Sequence, residues 1–181
     1  MAHNTSAQYH QIIQDCKELF LKKTRDYGTA WRILRPASIT DQIFIKAQRI
    51  RTLEEKKTSK VGDDIIGEYV AIVNYCIIGM MQLELSDESP LELEVAVVEE
   101  NFDRFVNETW ELMLAKNHDY GEAWRDMRVS SLTDLILMKL LRVKQIEDNS
   151  GVTIVSEGIK ANYQDMMNYS IFALIKLRPS E

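Results

Sequence analysis

Residues 23–51, KTRDYGTAWRILRPASITDQIFIKAQRIR, return 93 positions later as residues 116–144, and 14 of the 29 paired residues are identical. A self-match of that density means that the chain is one unit written twice, so its fold must hold two copies of one element order. Past a one-residue insertion the offset becomes 94, and Ile65, Tyr69, Asn74, Tyr75, Ile77 and Leu83 pair with Ile159, Tyr163, Asn168, Tyr169, Ile171 and Leu177. Upstream, Tyr9, Ile12, Ile13, Leu19, Phe20 and Leu21 pair with Phe102, Phe105, Val106, Leu112, Met113 and Leu114. Only LSDESPLE stands outside the match, so we read residues 1–86 and 91–181 as two repeats joined by a linker over 86–91.

Each repeat reads as three helices. Tyr9, Ile12, Ile13, Cys16, Leu19 and Phe20 follow the three-and-four spacing of an amphipathic helix that runs to about Arg25, with Gly28 ending it. The second helix is expected to start at Ser38, whose hydroxyl can cap free backbone N–H groups while Asp41 favours the positive end of the helix dipole. Ser131 and Asp134 repeat that pattern. The third helix, from about Asp63 to Leu85, is apolar on most sides and suits a central position. The second repeat is expected to place helices at about Leu91–Asn117, Leu132–Asp148 and Ser156–Leu177, with a short turn in each GxAWR segment. The predicted fold is all-α: two tandem three-helix repeats packed on a pseudo-twofold axis as one bundle.

The net charge of −6 opposes binding to polymeric nucleic acid, which rests on many Lys and Arg contacts to phosphates. A small anion in a local pocket is compatible with it. Cys16 and Cys76 lie among helical apolar residues and read as buried free thiols, which fits a reducing cytoplasm. The start MAHNTSAQYH lacks the cationic and apolar regions of a secretory signal, and Glu68 and Asn74 interrupt the most apolar stretch, Ile65–Leu83, so no membrane span is expected. Met80, Met81, Met166 and Met167 on the apolar third helices are compatible with a homodimer.

The repeated loop concentrates chemistry. The first copy holds Asp26, Tyr27, Gly28, Trp31, Arg32 and Arg35, then Asp41, Lys46 and Arg49. The second holds Asp119, Tyr120, Gly121, Trp124, Arg125 and Arg128, then Asp134, Lys139 and Arg142. Rings that stack on a base, cations that hold phosphate and carboxylates that hold a divalent cation are what a nucleotide pocket requires. We therefore take Asp26, Tyr27, Trp31, Arg32, Lys46, Arg49 and their counterparts as candidate ligand-binding residues. The plainer alternative is that Gly28 caps a helix, the rings fill the core and the aspartates pair with nearby arginines. On the third helix Glu68 and Ala71 stand where the second copy has Asn162 and Asp165, so the copies divide a Glu-x-x-Asp pattern between them. An acid buried there needs a cationic partner or a metal.

The Lys-x-x-Asp-Tyr-Gly-x-x-Trp pattern, the helix carrying Asp, Lys and Arg, and the late Asn-Tyr helix resemble the bacterial and phage family called nucleotide modification associated domain, first type, over roughly residues 9–83 and 102–177. That resemblance implies an all-helical domain linked to DNA base modification or nucleotide metabolism. More remotely, Glu-x-x-Asp followed by an aromatic is similar to the last metal-binding helix of MazG-like all-α nucleoside triphosphate pyrophosphohydrolases. The similarity implies magnesium held by carboxylates, for which Asp41, Glu68, Asp134 and Asp165 are the candidates. The chain departs from that pattern: its second helix carries Lys46 and Arg49 in place of Glu-x-x-Glu, and neither copy keeps both later acids. Three readings stay open on sequence alone: a binder of a nucleotide or related phosphorylated small molecule, a magnesium-dependent pyrophosphohydrolase, and a non-catalytic helical scaffold or dimerisation protein.

Overall fold

A computed structural model describes residues 4–57, 64–155 and 157–178. It contains α1 (Thr5–Tyr27), α2 (Pro36–Lys56), α3 (Ile65–Glu84), α4 (Val95–Tyr120), α5 (Val129–Asp148) and α6 (Ile159–Leu177). A single 3-10 turn follows α1 at Ala30–Ile33 and another follows α4 at Ala123–Asp126, and no strand occurs among the described residues. The expected helix starts at Asp63 and Ser156 lie outside those residues.

The Asp-Tyr-Gly triplet explains how α1 and α4 stop. Gly28 (φ 65°, ψ −147°) and Gly121 (φ 61°, ψ −152°) occupy a backbone region closed to side chains with a Cβ. At Gly28 the restriction is also spatial, because a Cβ would lie 2.2 Å from the Glu92 carboxylate. The starts of α2 and α5 correct the sequence reading. Pro36 occupies the first turn of α2 and forces Arg35 into extended backbone, so the helix begins before Ser38. In the second copy Arg128 is equally extended and α5 begins at Val129 rather than Leu132. Ser38 and Ser131 therefore sit inside the first turn and do not cap it.

The third helix of each repeat forms the centre. α3 packs along α6, α2 covers α3, α5 covers α6, and α2 crosses α5. α1 and α4 touch each other and lie against both central helices. Ile72, Val73, Ile77 and Met80 on α3, and Met166, Met167, Ile171 and Leu174 on α6, are wholly buried. Each such side chain stabilises the fold by about 1.5–3 kcal/mol relative to exposure. The methionine cluster that was compatible with a homodimer is thus covered within one chain. α3 is long and apolar enough to cross a membrane, yet 67% of its most apolar window is buried in the protein. Gly79 lets the two central helices approach closely, since a Cβ there would meet the Tyr163 ring at 2.9 Å.

Two polar relays tie the halves across the pseudo-axis. Tyr163 Oη lies 2.6 Å from Thr40 Oγ1, which donates to Glu147 at 2.6 Å. In the equivalent place Tyr69 Oη lies 2.6 Å from Thr133 Oγ1, which donates to Glu54 at 2.9 Å. Each relay takes its threonine from one repeat and its tyrosine and glutamate from the other. Burial pushes Glu54 and Glu147 above the ordinary carboxylate range, and neighbouring acids add to it against the threonine hydrogen bonds. Cys16 and Cys76 are buried and free, as expected, and burial pushes the Cys16 thiol up to about 12.

Candidate functional site

Each helix stop turns the chain away from its own third helix and leaves a cleft beneath the loop. The first cleft, about 350 Å³, is walled by Phe20, Lys23, Tyr27, Trp31, Asn74 and Tyr75. The second, about 430 Å³, is walled by their equivalents Met113, Lys116, Tyr120, Trp124, Asn168 and Tyr169. Both volumes fall near the lower end of the range of about 300–1,000 Å³ usual for small-ligand sites. Tyr27 and Tyr120 stand at the rims, 60% and 78% exposed, instead of filling the core.

The clefts share a plan and differ in their polar interior. In the second, Asp165 is buried and accepts from Lys139 at 2.7 Å and from Lys116 at 2.5 Å. Burial alone would lower the Lys116 ammonium, and the Asp165 carboxylate outweighs it, so Lys116 sits above the ordinary lysine value. Asn168 accepts from Tyr9 Oη at 2.8 Å and donates to Thr109 O at 3.3 Å. Trp124 is stacked on Phe172 at 4.3 Å with 5° between ring planes, and the Arg125 guanidinium lies 4.3 Å from the Trp124 ring. The Trp124 Nε1 donor is buried without a hydrogen-bond partner.

The first cleft lacks each of these internal partners. Ala71 replaces Asp165, Ile78 replaces Phe172, and Phe102 stands where a tyrosine would reach Asn74. Asn74 still donates to Cys16 O at 3.2 Å, but its Oδ1 is buried with no partner. Among the described residues Lys23 is the one charged side chain lining this cleft, and no acid pairs with it.

The loop arginines belong to a different task from the one expected of them. Arg32 is buried and donates to Pro90 O at 3.3 Å, to Ser86 O and Ser89 O at 3.2 Å each, and to Gln82. It holds the segment that leads into α4. Arg125 donates to Glu122 at 2.7 Å, to Thr5 at 2.7 Å and to Gln8 at 2.8 Å, and so holds the first turn of α1. Arg32 grips the connection between the repeats and Arg125 the start of α1, which accounts for an arginine in both copies without a ligand. A planar fork suits several fixed carbonyl and carboxylate acceptors in a way lysine does not.

The candidate metal ligands do not converge. Glu68 pairs with Arg49, with Lys46 Nζ 3.7 Å away, and Asp165 pairs with two lysines. Asp41 is 2.8 Å from Lys144 across the seam, and Asp134 is exposed. Among the described residues no group of three or more His, Cys, Asp and Glu side chains could hold a metal ion. The donor set therefore does not fit magnesium, because a divalent cation needs carboxylates that are not already neutralised by ammonium and guanidinium groups. Asp26, Asp119 and Arg142 are exposed, Asp119 beside His118 at 3.1 Å, and Arg142 borders a separate surface hollow. Of the twelve ligand candidates only Tyr27, Trp31, Tyr120, Trp124 and Lys139 line the paired clefts. Lys23 and Lys116, which are not among those candidates, also line the clefts, and the signal for them is that they head the repeated stretch in both copies.

This is an all-α tandem-repeat protein with one cleft per repeat, built around a shared loop and the Asn-Tyr pair of the third helix. Residues 23–83 and 116–177 each match the nucleotide modification associated domain 1 family, so the chain belongs to that family and carries its domain twice. No curated protein and no solved structure matches the chain.

Proposed function

We propose that the protein binds a nucleotide or a related phosphorylated small molecule in a cleft beneath its repeated loop, in nucleotide metabolism or DNA base modification. The observation that carries this reading is the preservation of one cleft plan in both halves: a lysine, a rim tyrosine, a tryptophan and a buried asparagine over an apolar floor. In the first cleft packing alone needs neither Lys23, which has no acid partner among the described residues, nor the open volume. Aromatic walls accept a base, and a lysine near the mouth is a point charge for phosphate. The pyrophosphohydrolase alternative draws no support from the acids, since Asp41, Glu68 and Asp165 are held in ion pairs and Asp134 lies exposed, and it is not adopted.

Thermal shift with a nucleotide panel tests the proposal. A ligand at about a hundredfold over its Kd stabilises by about 2.7 kcal/mol, which corresponds to a Tm rise of roughly 5–11 °C for a chain of this size. Trp31→Ala and Lys23→Ala should reduce that rise without abolishing folding. A flat response to every nucleotide would favour the scaffold reading and defeat this one.

A further inference from the structure

We infer that the two clefts differ in use: the first takes a nucleoside 5′-monophosphate, with its base edge at Asn74 and its phosphate at Lys23, and the second is occupied by the protein's own side chains. The inference rests on the binding function proposed above and adds which cleft and which ligand class.

The argument compares equivalent atoms. A phosphate near Lys116 would compete with the Asp165 carboxylate, which already sits between Lys116 and Lys139 at 2.5 and 2.7 Å. In the first cleft Ala71 offers no such carboxylate, and Lys23 is unpaired among the described residues. A base slotted against Trp124 would have to displace Phe172, which lies parallel to it, whereas Ile78 presents no ring face to Trp31. A buried polar acceptor of the second cleft, Asn168 Oδ1, is filled by Tyr9 Oη. Its counterpart, Asn74 Oδ1, is buried and has no partner, residue 102 being Phe. At all three places the second cleft answers its own groups, while the first leaves a cation, a ring face and an acceptor for a guest. The second cleft's remaining orphan, Trp124 Nε1, is a donor and cannot serve an N–H of a base.

Ligand class follows from these three groups. A buried carbonyl acceptor demands a donor, which nucleobases carry as an exocyclic amine or a ring N–H. Asn74 is bonded to Cys16 O on α1, and Lys23 lies seven residues further along that helix. At about 1.5 Å per residue the Cys16 and Lys23 backbone positions are about 10 Å apart along the axis, the scale of a nucleotide from base edge to 5′-phosphate. One lysine, with no acid cluster among the described residues to hold a metal, suits one phosphate rather than a chain of them.

Isothermal titration of the full chain with ribo- and deoxyribonucleoside 5′-monophosphates tests this. The expected result is one site per chain for at least one of them. Ala71→Asp, which gives Lys23 the partner that Lys116 has, should weaken binding at least tenfold. Phe102→Tyr, which fills the Asn74 acceptor, should weaken it while the protein melts at least as high as the parent, so loss of fold cannot account for the loss of affinity. Asp165→Ala should leave the first site intact. Two equal sites, or one site that survives both first-cleft variants and is lost on Lys116→Ala, overturns the inference and leaves the binding function standing. Binding of triphosphates alone does the same. A chain that binds no nucleotide of any kind overturns both.

Discussion

Exchanging one buried ring for another tests the pseudo-symmetry at atomic level. Tyr9 and Phe102 are equivalent residues, and both are wholly buried. Tyr9 Oη reaches Asn168 Oδ1 across the halves at 2.8 Å, while Asn74 Oδ1, the mirrored acceptor, has no partner. Phe102→Tyr should supply the missing donor. A formed hydrogen bond adds about 0.5–1.5 kcal/mol net, and relieving a buried orphan acceptor places the gain toward the upper part of that range. At about 2–4 °C per kcal/mol, Tm should rise by about 2–6 °C. The reciprocal Tyr9→Phe orphans Asn168 Oδ1 and should cost about 1–3 kcal/mol. Urea unfolding monitored by circular dichroism gives both values, and an unchanged m-value confirms that the transition is the same one. A lower midpoint for Phe102→Tyr would mean that the ring does not face Asn74, and the mirror argument at this seam would fail.

Gly79→Ala inverts the usual helix rule: propensity alone favours alanine by about 1 kcal/mol, but the added Cβ meets the Tyr163 ring at 2.9 Å. The variant should be destabilised by about 1–3 kcal/mol in chemical unfolding, and a stabilised variant would show that the ring yields freely. Arg32→Lys loses most of the bonds to Pro90, Ser86, Ser89 and Gln82, and should lower stability by about 2–4 kcal/mol with faster proteolysis near residues 86–91; an unchanged cleavage rate would remove Arg32 from its clamping role. Glu54 and Glu147 have folded pKa values raised by burial above the unfolded glutamate value of about 4.3, so their stabilising contribution is present below that value and lost as pH rises through the folded one. Relative to the double variant Glu54→Gln, Glu147→Gln, the parent should therefore gain Tm as pH falls from neutral toward that value, and a constant difference across the titration would refute the assignment.

Much of the fold was legible because repetition and helical spacing are properties of order along the chain. The six helices, the turn in each GxAWR segment and the central third helices followed from Tyr9 to Phe20 and from Ile65 to Leu83. The helix starts were misread because Ser-x-x-Asp is a cap signal only where the backbone before it is free to turn, and Pro36 had already fixed Arg35. The site was less legible. Arg32 and Arg125 look like phosphate ligands in a motif, and only the fold reveals that, Glu122 apart, their acceptors are 50 or more residues away. Glu68 and Asp165 carried the right warning, that a buried acid needs a cationic partner or a metal, and the fold supplies Arg49 to the first and two lysines to the second. The distinction between the clefts lies at residues 71, 78 and 102, which look unremarkable until each is set beside its equivalent.

The reciprocal grip of the loop arginines has a topological corollary. Thr5 at the head of α1 accepts from the Arg125 guanidinium, and Lys176 at the tail of α6 donates to the Arg125 backbone carbonyl. The two outer ends of the bundle therefore meet at one residue, much as the inner ends meet at Arg32. Geometrically the molecule is a closed loop with two equivalent seams, only one of which is joined by peptide. Opening the chain at 86–91 and bridging the other seam should yield a circular permutant with its halves in exchanged order and every contact between them retained.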